Sequence, residues 1–128
     1  MKREIVATGK APQAIGPYSQ GIRAGDFVFT AGQIPLDPQT GEIVGADIQT
    51  QVRQVLENLK AVLEQAGSGL EKIVKITVFL QDLAHFAQLN EIFSIYFPSD
   101  PPARSAVQVS RLPKDVLVEI EAIGIRES

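Results

Sequence analysis

Apolar residues repeat along this chain with two different periods, and the places where one period gives way to the other mark out its elements. Between residues 48 and 66, Ile48, Val52, Val55, Leu56, Leu59, Val62, Leu63 and Ala66 recur at helical spacing, the stripe of an amphipathic helix. Asp47 is placed to be its N-cap, because a carboxylate there accepts from the free N–H groups of the first turn, and Gly67 and Gly69 stop it. Gln51, Arg53, Glu57, Lys60 and Glu64 are expected on its solvated side. A second helix opens at Asp82 and runs through Leu83, Phe86, Leu89, Asn90, Phe93 and Phe97 until Pro98 and the Asp100-Pro101-Pro102 cluster end it.

Elsewhere the period is two or the runs are short. Residues 4–7 read as a first strand, closed by the breakers between Gly9 and Pro12. After the Gly16-Pro17 turn, residues 18–22 resume an extended run, and Gly25-Asp26 is a two-residue hairpin turn before residues 27–30. Pro35, Asp37-Pro38 and Thr40-Gly41 make residues 34–45 a loop. In residues 73–80, Val74, Ile76, Val78 and Leu80 form an apolar face, whereas Ile73, Lys75, Thr77 and Phe79 form a mixed one. Residues 102–110 and 115–123 are rich in β-branched side chains and flank Arg111-Leu112-Pro113-Lys114, the pattern of a closing β-hairpin. The predicted order is β-β-β-α-β-α-β-β, an α+β fold in one domain spanning residues 1–128.

Two features of this pattern are unusual. Arg104 and Glu119 each lie inside an apolar run, where an unpaired charge costs on the order of several kcal/mol. Two helices can also cover only one face of the sheet. The other face carries Phe, Ile, Val and Ala side chains beside the two charges, so it is expected to pack against further copies of the chain with polar clefts between them.

Composition narrows the chemistry. With 128 residues, 45% hydrophobic and 21% charged, the chain has the make-up of a soluble globular domain. Its apolar runs are far shorter than a membrane span, and no sustained apolar segment follows the basic N-terminus, so a cytoplasmic location without membrane partners is expected. Cysteine is absent, which removes disulfides, thiolate metal sites and thiol nucleophiles together. His85 is the one histidine and reads as a surface residue of the second helix. A net charge of −3 with scattered basic residues argues against nucleic acid as partner.

Three segments together resemble the reactive intermediate deaminase family, the RidA type of 2-iminobutanoate/2-iminopropanoate deaminases. They are Ala14-Ile15-Gly16-Pro17-Tyr18-Ser19-Gln20, Phe29-Thr30-Ala31-Gly32-Gln33-Ile34-Pro35, and Pro102-Ala103-Arg104-Ser105 with Arg111-Leu112-Pro113-Lys114-Asp115 and Val118-Glu119-Ile120-Glu121-Ala122. The resemblance implies a chorismate-mutase-like fold, with one sheet carrying two helices on one face. It also implies a homotrimer with clefts between subunits that take small 2-imino or 2-keto acids without metal or organic cofactor. The reaction it implies is hydrolysis of enamines and imines released by pyridoxal-phosphate enzymes, giving 2-keto acids and ammonia. Some family members have been described as ribonucleases or translation inhibitors, and a trimer that binds keto acids without turning them over is a further alternative.

The resemblance also assigns roles. Arg104, whose planar fork suits a carboxylate, would anchor the substrate; from the residues alone an ion pair to Glu119 or Glu121 is an equal alternative. Glu119 would activate water and assist ammonia departure; strand parity puts Glu121 on the same face, and only the resemblance chooses between them. Tyr18, Gly32 with Ala31, Asn90 and the backbone of Ala106 would shape the cleft. Ala106 stands where many members have cysteine and Ala31 where many have serine.

Overall fold

A computed structural model describes residues 2–127. Its elements follow the predicted order: β1 (Arg3–Val6), β2 (Gly21–Ala24), β3 (Phe27–Thr30), α1 (Ile48–Gln65), β4 (Ile73–Leu80), α2 (Phe86–Tyr96), β5 (Ala103–Gln108) and β6 (Val118–Ile125). β2 and β3 pair through the two-residue turn at Gly25-Asp26, where Gly25 takes φ 59°, the left-handed conformation glycine adopts without strain. Asp47 caps α1 by accepting from the Thr50 N–H at 3.0 Å. Asp82 caps a short 3-10 turn, Leu83–His85, that leads into α2, so the α-helix itself begins at Phe86 instead of directly after the predicted cap.

The predicted hairpin between residues 102–110 and 115–123 does not form. The six strands lie in the order β1-β2-β3-β6-β4-β5, with β4 inserted between β6 and β5. β5 runs parallel to β4 and α2 is the crossover between them; the other pairings are antiparallel. The physical reason is burial. β4 and β6 carry the strands' most apolar faces (Ile76, Val78 and Leu80; Val118, Ile120 and Ala122) and bury them side by side under the helices. β5, which carries Arg104 and Gln108 on that face, takes the edge, where water can reach its polar groups.

Both helices cover one face. Val52, Val55, Leu56, Leu59, Val62 and Leu63 of α1 and Leu89 and Ile92 of α2 are shut from solvent against Val28, Ile76, Val78, Leu80 and Ile120. Two expectations are corrected in this layer. Val74 is exposed and Ile73 buried, because the β4–β6 register shifts between Ile73 and Lys75 and exchanges their faces. Gln51 is buried rather than solvated: its Nε2 donates to Gly45 O at 3.1 Å and its Oε1 accepts from Leu117 N at 2.8 Å. Asn58 likewise donates to Ile34 O and Leu36 O at 3.3 and 3.0 Å. The polar positions of α1 thus tether the loops that flank the opposite end of the sheet.

Among the described residues no layer covers the second face. Ile5, Phe27, Phe29 and Ile125 lie on it, the two phenylalanines 45% and 43% exposed. Toward β4 and β5 the same face turns polar, with Lys75, Thr77, Glu119, Glu121 and Ser105.

Candidate functional site

Register decides which candidate residues can meet. Arg104 pairs with Ile76, and Ala106 with Val78, so both point to the helix side of β5. Glu119 pairs with Phe79 and Glu121 with Thr77, so both point to the open face. Within one chain Arg104 and Glu119 therefore lie on opposite faces of the sheet. The ion pair to Glu119 or Glu121 considered for Arg104 does not form.

On the helix side, Arg104 opens onto a groove of about 320 Å³ lined by Asn90, Phe93, Ser94, Phe97 and Pro102. Its guanidinium carbon lies 5.3 Å from the ring centre of Phe86 and 5.0 Å from that of Phe93. Burial draws its pKa down from the ordinary arginine value, with no acid to offset it. An arginine nevertheless keeps its proton at any working pH. Asn90 sits between the two phenylalanines on α2, four residues after Phe86 and three before Phe93, and so faces the same way. Ala106 is half-buried one pleat further along β5.

On the open side, Tyr18, Ala31, Gly32 and Glu119 come together with Ile15 and Pro113 around a hollow of about 280 Å³. Two hydrogen bonds between Gln33 and Ile120, at 2.8 and 3.1 Å, hold the segment after β3 beside β6 and set Gly32 directly over the Glu119 side chain. A Cβ on Gly32 would overlap the Glu119 carboxylate, so glycine is what allows the acid to lie there. Burial pushes the Glu119 carboxyl above its ordinary range, and the like charge of Glu121 adds to the shift. Tyr18 is half exposed, and its hydroxyl accepts from the Ile15 N–H at 3.2 Å.

Residues not singled out from the sequence build these surroundings. Gln20, buried, accepts from Thr8 N and donates to Thr8 O, Ala11 O and Pro12 O, while its carbonyl accepts from Ala31 N. It thereby ties the Tyr18 loop to the end of β3. Phe86 and Phe93 could have been connected to Asn90 by helical spacing, but nothing in the sequence brings Arg104 to them. His85 is half-buried, with Nδ1 shielded from solvent and unpartnered among the described residues, rather than fully at the surface. Arg111 pairs with Asp115 in the open, at 2.7 Å.

The chain matches the family described as Endoribonuclease L-PSP over residues 8–126. It is 58% identical to a RutC family protein of Pyrococcus abyssi, over 99% of this chain and all of that one. Escherichia coli TdcF, named provisionally a reactive intermediate deaminase, is 52% identical over 98% of this chain and 99% of its own. The crystal structure of E. coli TdcF with bound serine superposes with a TM-score of 0.92 at 53% identity, covering 97% of this chain and 99% of that one. Yeast Mmf1 gives a TM-score of 0.95 at 38% identity, over 98% of this chain and the whole of the other. With sequence, fold and motif order in agreement over nearly the whole chain, the protein belongs to the reactive intermediate deaminase family of RidA type.

Proposed function

We propose that the protein hydrolyses reactive 2-imino acids and their enamine tautomers, such as 2-iminobutanoate and 2-iminopropanoate, to 2-keto acids and ammonia. The observation that carries this reading is the separation of the candidate residues into two halves, an unpaired arginine beside Asn90 and a desolvated carboxylate beside Tyr18 and Gly32. As these side chains lie, one small substrate meets both halves only if two copies share it. The open edge of β5 and the uncovered apolar face supply surfaces for that assembly, and a homotrimer has three such clefts.

In the proposed cleft Arg104 of one copy grips the substrate carboxylate through paired N–H donors. The Glu119 carboxylate of a neighbour takes a proton from water as its oxygen bonds to the iminium carbon, and the C=N π electrons move to nitrogen to give a carbinolamine. Glu119 then returns the proton to nitrogen, the C–N bond breaks as ammonia leaves, and loss of the hydroxyl proton forms the ketone. The raised affinity of Glu119 for a proton suits it to both steps. Tyr18 orients water or substrate, and Gly32 with Ala31 and the Ala106 backbone close the walls. That TdcF is described with bound serine supports a carboxylate-bearing ligand of this size. The proposed setting is the cytoplasm, beside pyridoxal-phosphate enzymes that release such imines.

The test couples a threonine dehydratase to imine detection and compares keto acid release with and without this protein, against the spontaneous rate. Acceleration is expected. A trimer that binds 2-oxobutanoate yet leaves the rate unchanged would instead be a keto-acid sensor. The description of the family as an endoribonuclease makes RNA cleavage the remaining reading, and it demands loss of RNA in the same preparation.

A further inference from the structure

Arg104 is held without the partner that a half-buried arginine ordinarily has. Among the described residues it makes no ion pair, and no hydrogen bond of its guanidinium is present. What flanks it is aromatic: Phe86 and Phe93, seven residues apart and so on one side of α2, place their ring centres at almost equal distances from the guanidinium carbon. A cation beside the face of a ring is attracted by its quadrupole, and unlike a carboxylate the ring takes up none of the N–H donors. Phe93 is buried in the core and also packs against Phe97, 5.4 Å between ring centres, so it is a fixed wall; Phe86, 41% exposed, is the outer one. Gln108 anchors the start of the helix to β5 by accepting from Leu83 N at 2.9 Å, which fixes the spacing between Phe86 and the strand that bears the arginine.

We propose that Phe86 and Phe93 are positioning residues that clamp the Arg104 guanidinium between them, orienting the cation while leaving its donors free for a ligand carboxylate. An acidic partner would orient it equally well but would compete with the ligand for the same donors. The inference rests on the reading of Arg104 as carboxylate anchor for its consequence in binding, and on the geometry alone for the clamp itself.

Two measurements separate those parts. In nitrogen-15 spectra of the intact protein, the Arg104 Nε–H and side-chain methylene signals, assigned with Arg104→Lys, are expected to be shifted by the ring currents. Phe86→Leu and Phe93→Leu should each remove part of the shift, and Phe93→Tyr should retain it. Titration with 2-oxobutanoate is then expected to weaken by about two- to fivefold for each ring lost, the usual size of a cation–π contact, with Phe93→Tyr restoring it. In the deaminase assay the loss should appear in KM, with kcat nearly unchanged, because the rings do not touch the water-activating acid. Phe86→Leu is the decisive variant, since its site is half exposed and it leaves the core intact. If a folded Phe86→Leu protein keeps both the ring-current shift and wild-type affinity, the clamp is wrong. If wild type shows the shift and the leucine variants lose it, but no protein binds the keto acid, the clamp stands and the carboxylate-anchor reading fails.

Discussion

Glu119 is a carboxylate whose proton affinity is set by where it lies, and its behaviour with pH follows. Burial and the charge of Glu121 raise its pKa above the ordinary glutamic acid value. As a base it works only when ionised, so kcat/KM should fall on acidification at a higher pH than for an ordinary glutamate. Glu121→Gln removes the like charge and should move that acid limb to lower pH, which a pH–rate profile reads directly; an unmoved limb would assign it to another group. The same shift has a stability sign. The folded state holds this proton more tightly than the unfolded chain, so stability declines as pH rises from the ordinary glutamate range through the raised value. Glu119→Gln should therefore be more resistant to urea than wild type above that window, while losing turnover and keeping 2-oxobutanoate binding. Gly32→Ala should abolish turnover in a folded protein, because its methyl would displace the Glu119 carboxylate; full activity would contradict the placement of that acid. Glu119 and Gly32 could be picked out of the chain one by one, but the contact between them could not, since it depends on the Gln33–Ile120 bridge between residues remote in sequence.

At the scale of elements, the helices and the opening hairpin were legible because their signals are local. Asp47, the stripe of α1 and the Gly25-Asp26 turn each act within a few residues. The closing strands were not legible, since both a hairpin and a strand inserted between them satisfy the same alternation. Gln51 shows the same limit on a helix: its position reads as solvated, yet loop 34–45 and the residues before β6 close over it. Gln51→Met should cost about 1–3 kcal/mol in urea unfolding, chiefly the penalty for leaving the half-buried Leu117 N–H without a partner. A neutral outcome would show that water replaces the amide.

For the whole molecule the central prediction concerns assembly. If each cleft takes Arg104 from one copy and Glu119 from another, mixing inactive Arg104→Ala and Glu119→Gln subunits, unfolded and refolded together, should restore about a quarter of wild-type activity by random association. Refolded separately, neither should recover. Absence of complementation in mixed trimers would require both residues to act from one chain. Phe29→Glu, on the exposed apolar face, should yield smaller particles in light scattering and lose turnover although every candidate site residue remains.

The sequence by itself determined the element order, the helical stripe and its cap, the family, and which side chains are candidates for the site. These are carried by residue types and short spacings, which act before the chain is compact. Tertiary structure alone decided that β6 lies between β3 and β4, that Arg104 and Glu119 face opposite ways, and that two phenylalanines, not an acid, flank the arginine. Those outcomes follow from competition among apolar strand faces for the space beneath two helices, a contest between segments far apart in the chain.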